Sequence, residues 1–249
     1  GVREALSLAT NRESIITASL AGQANPVYGP ILPGIEGYDA SVYASEKFSL
    51  NDARVKLEAA KWLPGEDGVR EKMIGKVKIR LEFELVVPQI PFLIAAANTL
   101  KNDWAKIGVK TVVISVNPSE INDAAIRTRN YNMILFGNIL KNNPDIFAFW
   151  HSSERFFPGQ NLAVYDNKKA DALLESIRKD LDPVSRAGNL KKLQELILAD
   201  RPAIPLFSPT YLYVATKNLK GFDSGSLTAA SNRFDGVSKW YLKTKRVFR

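Results

Sequence analysis

A chain of 249 residues is long enough to bury roughly 70–75% of its unfolded surface in a core of its own. Its 45% hydrophobic and 24% charged content is that of an ordinary globular protein. The absence of cysteine excludes disulfides, zinc–thiolate centres and a cysteine nucleophile, and no apolar run approaches the roughly 18 residues that span a bilayer. The net charge of +8 belongs to a solvated surface rather than a nucleic-acid groove: basic residues alternate with acids (Lys168-Lys169 before Asp171, Arg178-Lys179 before Asp180), only the tail from Lys239 to Arg249 is one-sided, and no nucleic-acid-binding motif occurs.

Val2, Ala5, Leu6, Ala9, Ile15, Ile16 and Leu20 recur at helical spacing. The polar step Thr10-Asn-Arg-Glu13 predicts two helices, the second capped by Thr10 or Asn11. From Gln23 to Ser45 proline, glycine and tyrosine dominate, which predicts a long irregular loop packed through Tyr28, Ile31, Leu32 and Tyr38; a loop of that length in a compact domain is often functional. Ser49 and Asp52 mark the start of a helix reaching about Trp62. Gly65 to Gly75 reads as a charged turn, and Val77 to Val87 as one period-two strand.

Pro91 opens a helix to about Ile107 with Leu93, Ala96, Ala97, Leu100 and Trp104 on one face. Gly108 ends it before a strand from Val109 to Val116. Pro118 starts a short helix to about Arg127, and Tyr131 to Phe136 reads as a buried strand ending at Gly137. Alternating strands and helices imply an α/β layer with crossover connections. The polar loop Asn138-Ile-Leu-Lys-Asn-Asn-Pro-Asp145 and the aromatic block Phe147-Ala-Phe-Trp-His-Ser-Ser153 follow. Lys168 to Lys179 and Pro183 to Ala199 are amphipathic helices, Ile204 to Thr216 a last aromatic strand, and Asp223 to Val237 a polar irregular segment.

Catalytic signatures are scarce. His151 is the single histidine, which removes multi-histidine metal sites. Gly68 to Val77 has neither the glycine spacing nor the Ser/Thr of a P-loop, and no nucleophile elbow or dinucleotide turn occurs. A triad of His151 with Ser152 or Ser153 is disfavoured, because neighbours in sequence are poorly placed for the required hydrogen bond. Asp145 and Asp200 read as turn or cap residues, and Trp62, Trp104 and Trp240 as core. Trp150 follows a loop at a strand end, where α/β sheets bind ligands, and reads equally as core or as ligand contact. These residues imply no catalytic group, metal or cofactor.

Taken in order, Val2-Arg-Glu-Ala-Leu, Thr10-Asn-Arg-Glu-Ser-Ile-Ile16, Gly29-Pro-Ile-Leu-Pro33, Asn51 to Trp62, the Tyr131–Phe136 phrase, Asn161-Leu-Ala-Val-Tyr165 and Asp200-Arg-Pro-Ala-Ile-Pro-Leu206 resemble the family-five extracellular solute-binding proteins, the oligopeptide/dipeptide-binding family of ABC importers. Asn11 replaces the family's usual aspartate. The resemblance implies an α/β fold: a periplasmic-binding-protein type II-like lobe with a mixed, mainly parallel sheet flanked by helices. It assigns residues 2–221 to the C-terminal lobe of a two-lobe clamshell and 222–249 to a segment returning towards a missing N-terminal lobe.

The function implied is extracytoplasmic capture of a small solute, a peptide or an oligosaccharide, in the periplasm or on the outer face of the cytoplasmic membrane. The solute would be handed to an ABC permease, with no covalent chemistry, and a lipid anchor would sit in the missing N-terminus. Peptide-binding members carry an aspartate for the ligand's amino terminus four residues before the loop proline. That position is Leu140 here, and Asn138 stands where the family has tryptophan. The expected ligand contacts are Asn138, Leu140, Lys141, Asn142, Asn143, Trp150, His151 and Tyr28. A missing charge-assisted bond, worth roughly 1.5–3 kcal/mol, weakens the case for a free-amine peptide, whereas the loop amides suit hydroxyls and Trp150 a sugar face. The competing classes are an enzyme of unassigned type on an α/β scaffold and a basic interaction domain for nucleic acid or anionic lipid.

Overall fold

The computed structural model describes residues 1–140, 145–223 and 230–242. Helices α1 (Val2–Leu8) and α2 (Arg12–Leu20) are separated at the polar step. Asn11 caps α2, its side chain accepting from the Ser14 N–H at 3.0 Å, which satisfies one of the orphan donors of a helix start. Strand β1 (Ala24–Pro26) opens the proline-rich loop. That loop is irregular but packed. Ile31 is buried, and the Tyr43 hydroxyl donates to Gln194 Oε1 at 3.1 Å while Gln194 Nε2 donates to the Gly37 carbonyl at 2.8 Å. Helix α3 (Leu50–Ala59) starts at the Ser49 cap.

Gly65 to Gly75 is not a turn, because it contains strand β3 (Arg70–Ile74), which pairs with β2 (Leu63–Pro64) and with β4 (Val77–Arg80) in an antiparallel ribbon. The segment Val77 to Val87 is two strands, β4 and β5 (Glu82–Pro88), in different sheets. Leu81 is the pivot: its N–H bonds the Arg70 carbonyl at 2.7 Å and its carbonyl accepts from Lys110 at 2.9 Å. The alternation of side chains continues through it, so the break left no mark in the period.

Helix α4 (Pro91–Ala105) buries the five expected residues. It leads through Gly108, at φ +80°, into β6 (Lys110–Val116). The expected helix from Pro118 is a single wider turn over Asn122–Ile126, where Arg127 N–H reaches back to the Asn122 carbonyl at 2.7 Å. Strand β7 is only Met133–Ile134, half-buried rather than buried, and Phe136 is exposed. Strands β6, β5 and β7 form a parallel sheet in that order, with Val86 opposite both Ile114 and Ile134. Parallel pairing with helices in the connections is the expected lobe architecture.

The helix α5 (Phe147–Trp150) begins the second half. Asn167 caps α6 (Lys168–Lys179), and Asp182 caps α7 (Pro183–Asp200). Asp200 is not simply a turn residue: its carboxylate accepts from the Tyr165 hydroxyl and from Asn167 Nδ2, each at 2.6 Å, tying the end of α7 to the start of α6. The last aromatic strand shrinks to β8 (Phe207–Pro209), antiparallel to β1. The expectation for 210–216 fails because no neighbouring strand in the described residues offers it a ladder. Strands β9 (Leu219–Lys220) and β10 (Tyr241–Leu242) pair with each other. Part of the polar segment from Asp223 to Val237 lies outside the described residues. Trp240 is half-buried among Tyr213, Phe222 and Phe234 rather than in the main core.

Two large cores result. One joins α1–α4 to the sheet through Leu6, Ile15, Leu57, Leu85, Val87, Leu100 and Trp104. The other lies between α5, α6, α7 and the proline-rich loop through Ile31, Trp150, Leu174, Leu190 and Leu193. A smaller cluster of Val86, Ile121 and Ala125 closes the opposite face of the sheet.

Candidate solute-binding site

The end of β7 and the segment after it carry the expected contacts. Leu135 N–H bonds the Val86 carbonyl at 2.8 Å and is the last anchor to the sheet. Beyond it Phe136, Gly137, Asn138 and Ile139 are exposed, and Leu140 turns back onto the second core. Asn138 therefore offers its amide to solvent, as a contact residue must. Lys141, Asn142 and Asn143 lie outside the described residues.

The chain re-emerges at Asp145, whose carboxylate accepts the Phe147 N–H at 3.1 Å and takes a two-pronged bond from Arg178 at 3.0 and 2.8 Å. Burial opposes the ionisation of Asp145. The Arg178 guanidinium and the Phe147 N–H outweigh it and hold the carboxyl below its usual range. Arg178 lies 3.8 Å over the Phe147 ring, and Phe147 stacks on His151 at 4.1 Å. This cation–aromatic–imidazole ladder fixes the return of the loop onto α6.

Trp150 is buried and meets Tyr165 edge-to-face at 6.3 Å. Tyr28 lies under the Arg12 guanidinium at 4.5 Å. Tyr28 and Trp150 share the wall of a cavity of about 10 Å³ with Tyr43, Arg201 and Pro205, enough for about one water and no solute. A wider open cleft of about 580 Å³ is lined by Arg3, Glu4, Glu195, Asp200 and Arg201 and by none of the expected contacts.

His151 is also buried. Its Nδ1 accepts from the Ser153 N–H at 3.1 Å and lies 2.8 Å from the Ser153 hydroxyl, so a serine two residues away does reach it. Its Nε2 has no hydrogen-bond partner among the described residues and sits 3.5 Å from Glu175 and 3.8 Å from Asp171. Ser152 donates through N–H and hydroxyl to Asp171, at 2.8 and 2.6 Å. Burial works against the Asp171 charge, yet both Ser152 bonds, Lys168 and His151 overcome it, and the carboxyl is held below its ordinary value. These groups cap local turns.

Sequence reasoning missed the clamp made by Arg12. Its Nε donates to the carbonyls of Val27 and Pro205, both at 2.9 Å, and so holds the ends of β1 and the approach to β8 together. Burial lowers the readiness of this guanidinium to stay charged, an effect that neighbouring Glu46 opposes. The signal was present, since Arg12 stands within the Thr10–Ile16 phrase, but its two acceptors are remote in sequence.

The chain is similar to known proteins along almost its whole length. It is 25% identical to the oligopeptide-binding protein AppA of Bacillus subtilis (strain 168), over 97% of this chain and 44% of the relative. It is 25% identical to the glutathione-binding protein GsiB of Salmonella paratyphi A, over 89% of this chain and 41% of the relative. Among solved structures, AppA from Bacillus subtilis with a nonapeptide superposes with a TM-score of 0.77 at 22% identity, over 98% of this chain and 47% of that one. NikZ from Campylobacter jejuni with Ni(L-His) superposes at 0.72 and 24% identity, over 96% and 48%. The chain thus spans less than half the length of these relatives. The family of bacterial extracellular solute-binding proteins, family 5 (middle), matches residues 1–157, and the chain belongs to that family.

Proposed function

We propose that residues 2–221 form the second lobe of an extracytoplasmic solute-binding protein that delivers its ligand to an ABC permease, and that the segment from 222 onward returns towards the first lobe. The observation that carries this reading is the family match over residues 1–157 together with a fold that superposes over 98% of the chain. The aromatic, exposed stretch Tyr211–Val214, with Val214 94% and Leu212 67% accessible, supports it. Such a surface is costly on a free-standing domain and natural where a second lobe packs.

The solute meets this lobe at the β7 end. Asn138 contacts it directly, together with Lys141, Asn142 and Asn143. Leu140 packs on the second core with Trp150, His151 stacks on Phe147, and Tyr28 shares a cavity wall with Trp150. The relatives described above are named for, or hold, a nonapeptide, glutathione and Ni(L-His). A loop with amides and a lysine but no acid before Asp145 favours a solute rich in hydroxyl or carbonyl groups over a free-amine peptide. Isothermal titration of the protein carrying both lobes, with a panel of peptides and oligosaccharides, tests this. Binding of an oligosaccharide that weakens about two- to tenfold in Asn138→Ala, the loss of a hydrogen bond to a neutral group, is the expected result. Tight binding of free-amine peptides, indifferent to Asn138, overturns the solute class.

A further inference from the structure

His151 is a buried titratable group that solute capture leaves unused. It is the single histidine of the chain, its side chain is 11% exposed, and Asn161 pins its backbone by donating from Nδ2 to the His151 carbonyl at 3.1 Å. One edge of the ring serves the turn that follows, where Nδ1 accepts the Ser153 N–H at 3.1 Å and the Ser153 hydroxyl lies 2.8 Å away. A backbone N–H only donates, so Nδ1 carries a lone pair and the neutral ring holds its proton on Nε2. That N–H is buried with no hydrogen-bond partner among the described residues, although Glu175 and Asp171 of α6 stand 3.5 and 3.8 Å from Nε2.

The charged groups around the ring come from three places. Helix α6 supplies Asp171, with Lys168 at 3.3 Å, and Glu175, with Lys179 at 3.9 Å. It also supplies Arg178, which lies over the Phe147 ring that stacks on His151. The segment before α5 supplies Asp145, bound to Arg178. The turn itself supplies Glu154, which accepts the Ser153 hydroxyl at 3.2 Å.

Protonation adds a second N–H to the ring, at Nδ1, where it meets the Ser153 N–H. Two donors at that separation repel, and the turn loses its cap. The same proton charges a ring whose other edge faces two carboxylates in a partly dehydrated setting, where attraction is stronger than in water. Both changes drive the imidazole the same way, from the turn towards α6. Phe147 stacks on the ring at 4.1 Å, and its N–H is held by Asp145 at 3.1 Å, so the movement passes to the segment that leads back to the end of β7.

We propose that His151 is a proton-operated latch on the return of this loop: neutral, it caps the Ser152–Glu154 turn; protonated, it leaves the turn for Glu175 and Asp171 and shifts Phe147 with it. The latch does not depend on which solute is carried, whereas its effect on binding rests on the β7 end being the solute site.

A chain with one histidine gives an imidazole nitrogen spectrum with no assignment problem. Isotope-labelled histidine should show the proton on Nε2 and a bare, hydrogen-bonded Nδ1 at about pH 8, and both nitrogens protonated at about pH 5. Over the same range the Phe147 and Ser153 signals should move together with the ring. Protection of the Ser153 amide from hydrogen exchange, relative to an unstructured amide, should fall about two- to tenfold, as loss of one hydrogen bond requires. His151→Asn keeps an acceptor for the Ser153 N–H without a titrating ring, and there the pH dependence at Ser153 and Phe147 should vanish. A ring that carries its proton on Nδ1 at the higher pH overturns the proposal, as does a ring that titrates while Ser153 and Phe147 stay still, or equal pH dependence in parent and His151→Asn. In the protein carrying both lobes, oligosaccharide affinity should differ between the two pH values in the parent and not in His151→Asn. If the ring switches in the spectra and affinity is pH-independent in both proteins, the latch stands and the placement of the solute at the β7 end falls.

Discussion

At Asp171 one carboxylate holds the turn after α5. It accepts the Ser152 N–H, the Ser152 hydroxyl and the Lys168 ammonium. Asp171→Ala would leave the first two donors buried without partners. The expected loss is about 2–3 kcal/mol, two unsatisfied groups at the usual cost, read from the urea midpoint at neutral pH. The sign with pH follows from a folded pKa below the ordinary 3.8. The carboxylate's contribution is fully present above 3.8 and lost as pH falls through the depressed folded value. Parent and variant should therefore converge in acid, and a gap that widens there would remove Asp171 from this role. The cap at Asn11 was legible in sequence because a cap and its recipient lie three residues apart. The partners of Asp171, Asp200 and Arg12 were not, because they come from other elements.

Elements were legible where their stabilisation is local. Helices α1–α4, α6 and α7 carry their own periodicity and, for most, their own caps. Strands were legible only as period-two runs, since their hydrogen bonds go elsewhere. The charged residues of β3 hid a strand whose core-facing member is Arg70, and the run through Leu81 joined two strands that belong to different sheets. Between α4 and β6 stands Gly108, in the left-handed region. An added Cβ would meet both the Gly68 carbonyl and Arg70 Cγ at 2.8 Å. Gly108→Ala is expected to cost at least about 2 kcal/mol, backbone strain plus contact, as a lower thermal midpoint. An unchanged midpoint would show that this corner relaxes freely.

For the molecule as a whole, the two cores give the chain the means to fold, whereas the solute site proposed above requires a second lobe. The chain by itself is expected to unfold cooperatively in urea yet to bind peptides or oligosaccharides only weakly in calorimetry. Micromolar affinity in the isolated chain would contradict the two-lobe reading, because one wall provides only part of the contacts and no enclosure.

The sequence by itself determined the helices and their caps, the alternation of strand and helix, and the phrases shared with one solute-binding family, since each is written within a few consecutive residues. The tertiary structure alone decided which strands pair, that Trp150 and His151 face inward while Asn138 faces out, and that the β3–β4 hairpin leaves Met73, Ile74 and Val77 exposed. Those outcomes depend on surfaces brought together from distant parts of the chain, and a residue's burial is a property of its neighbours in space, which the local pattern does not encode.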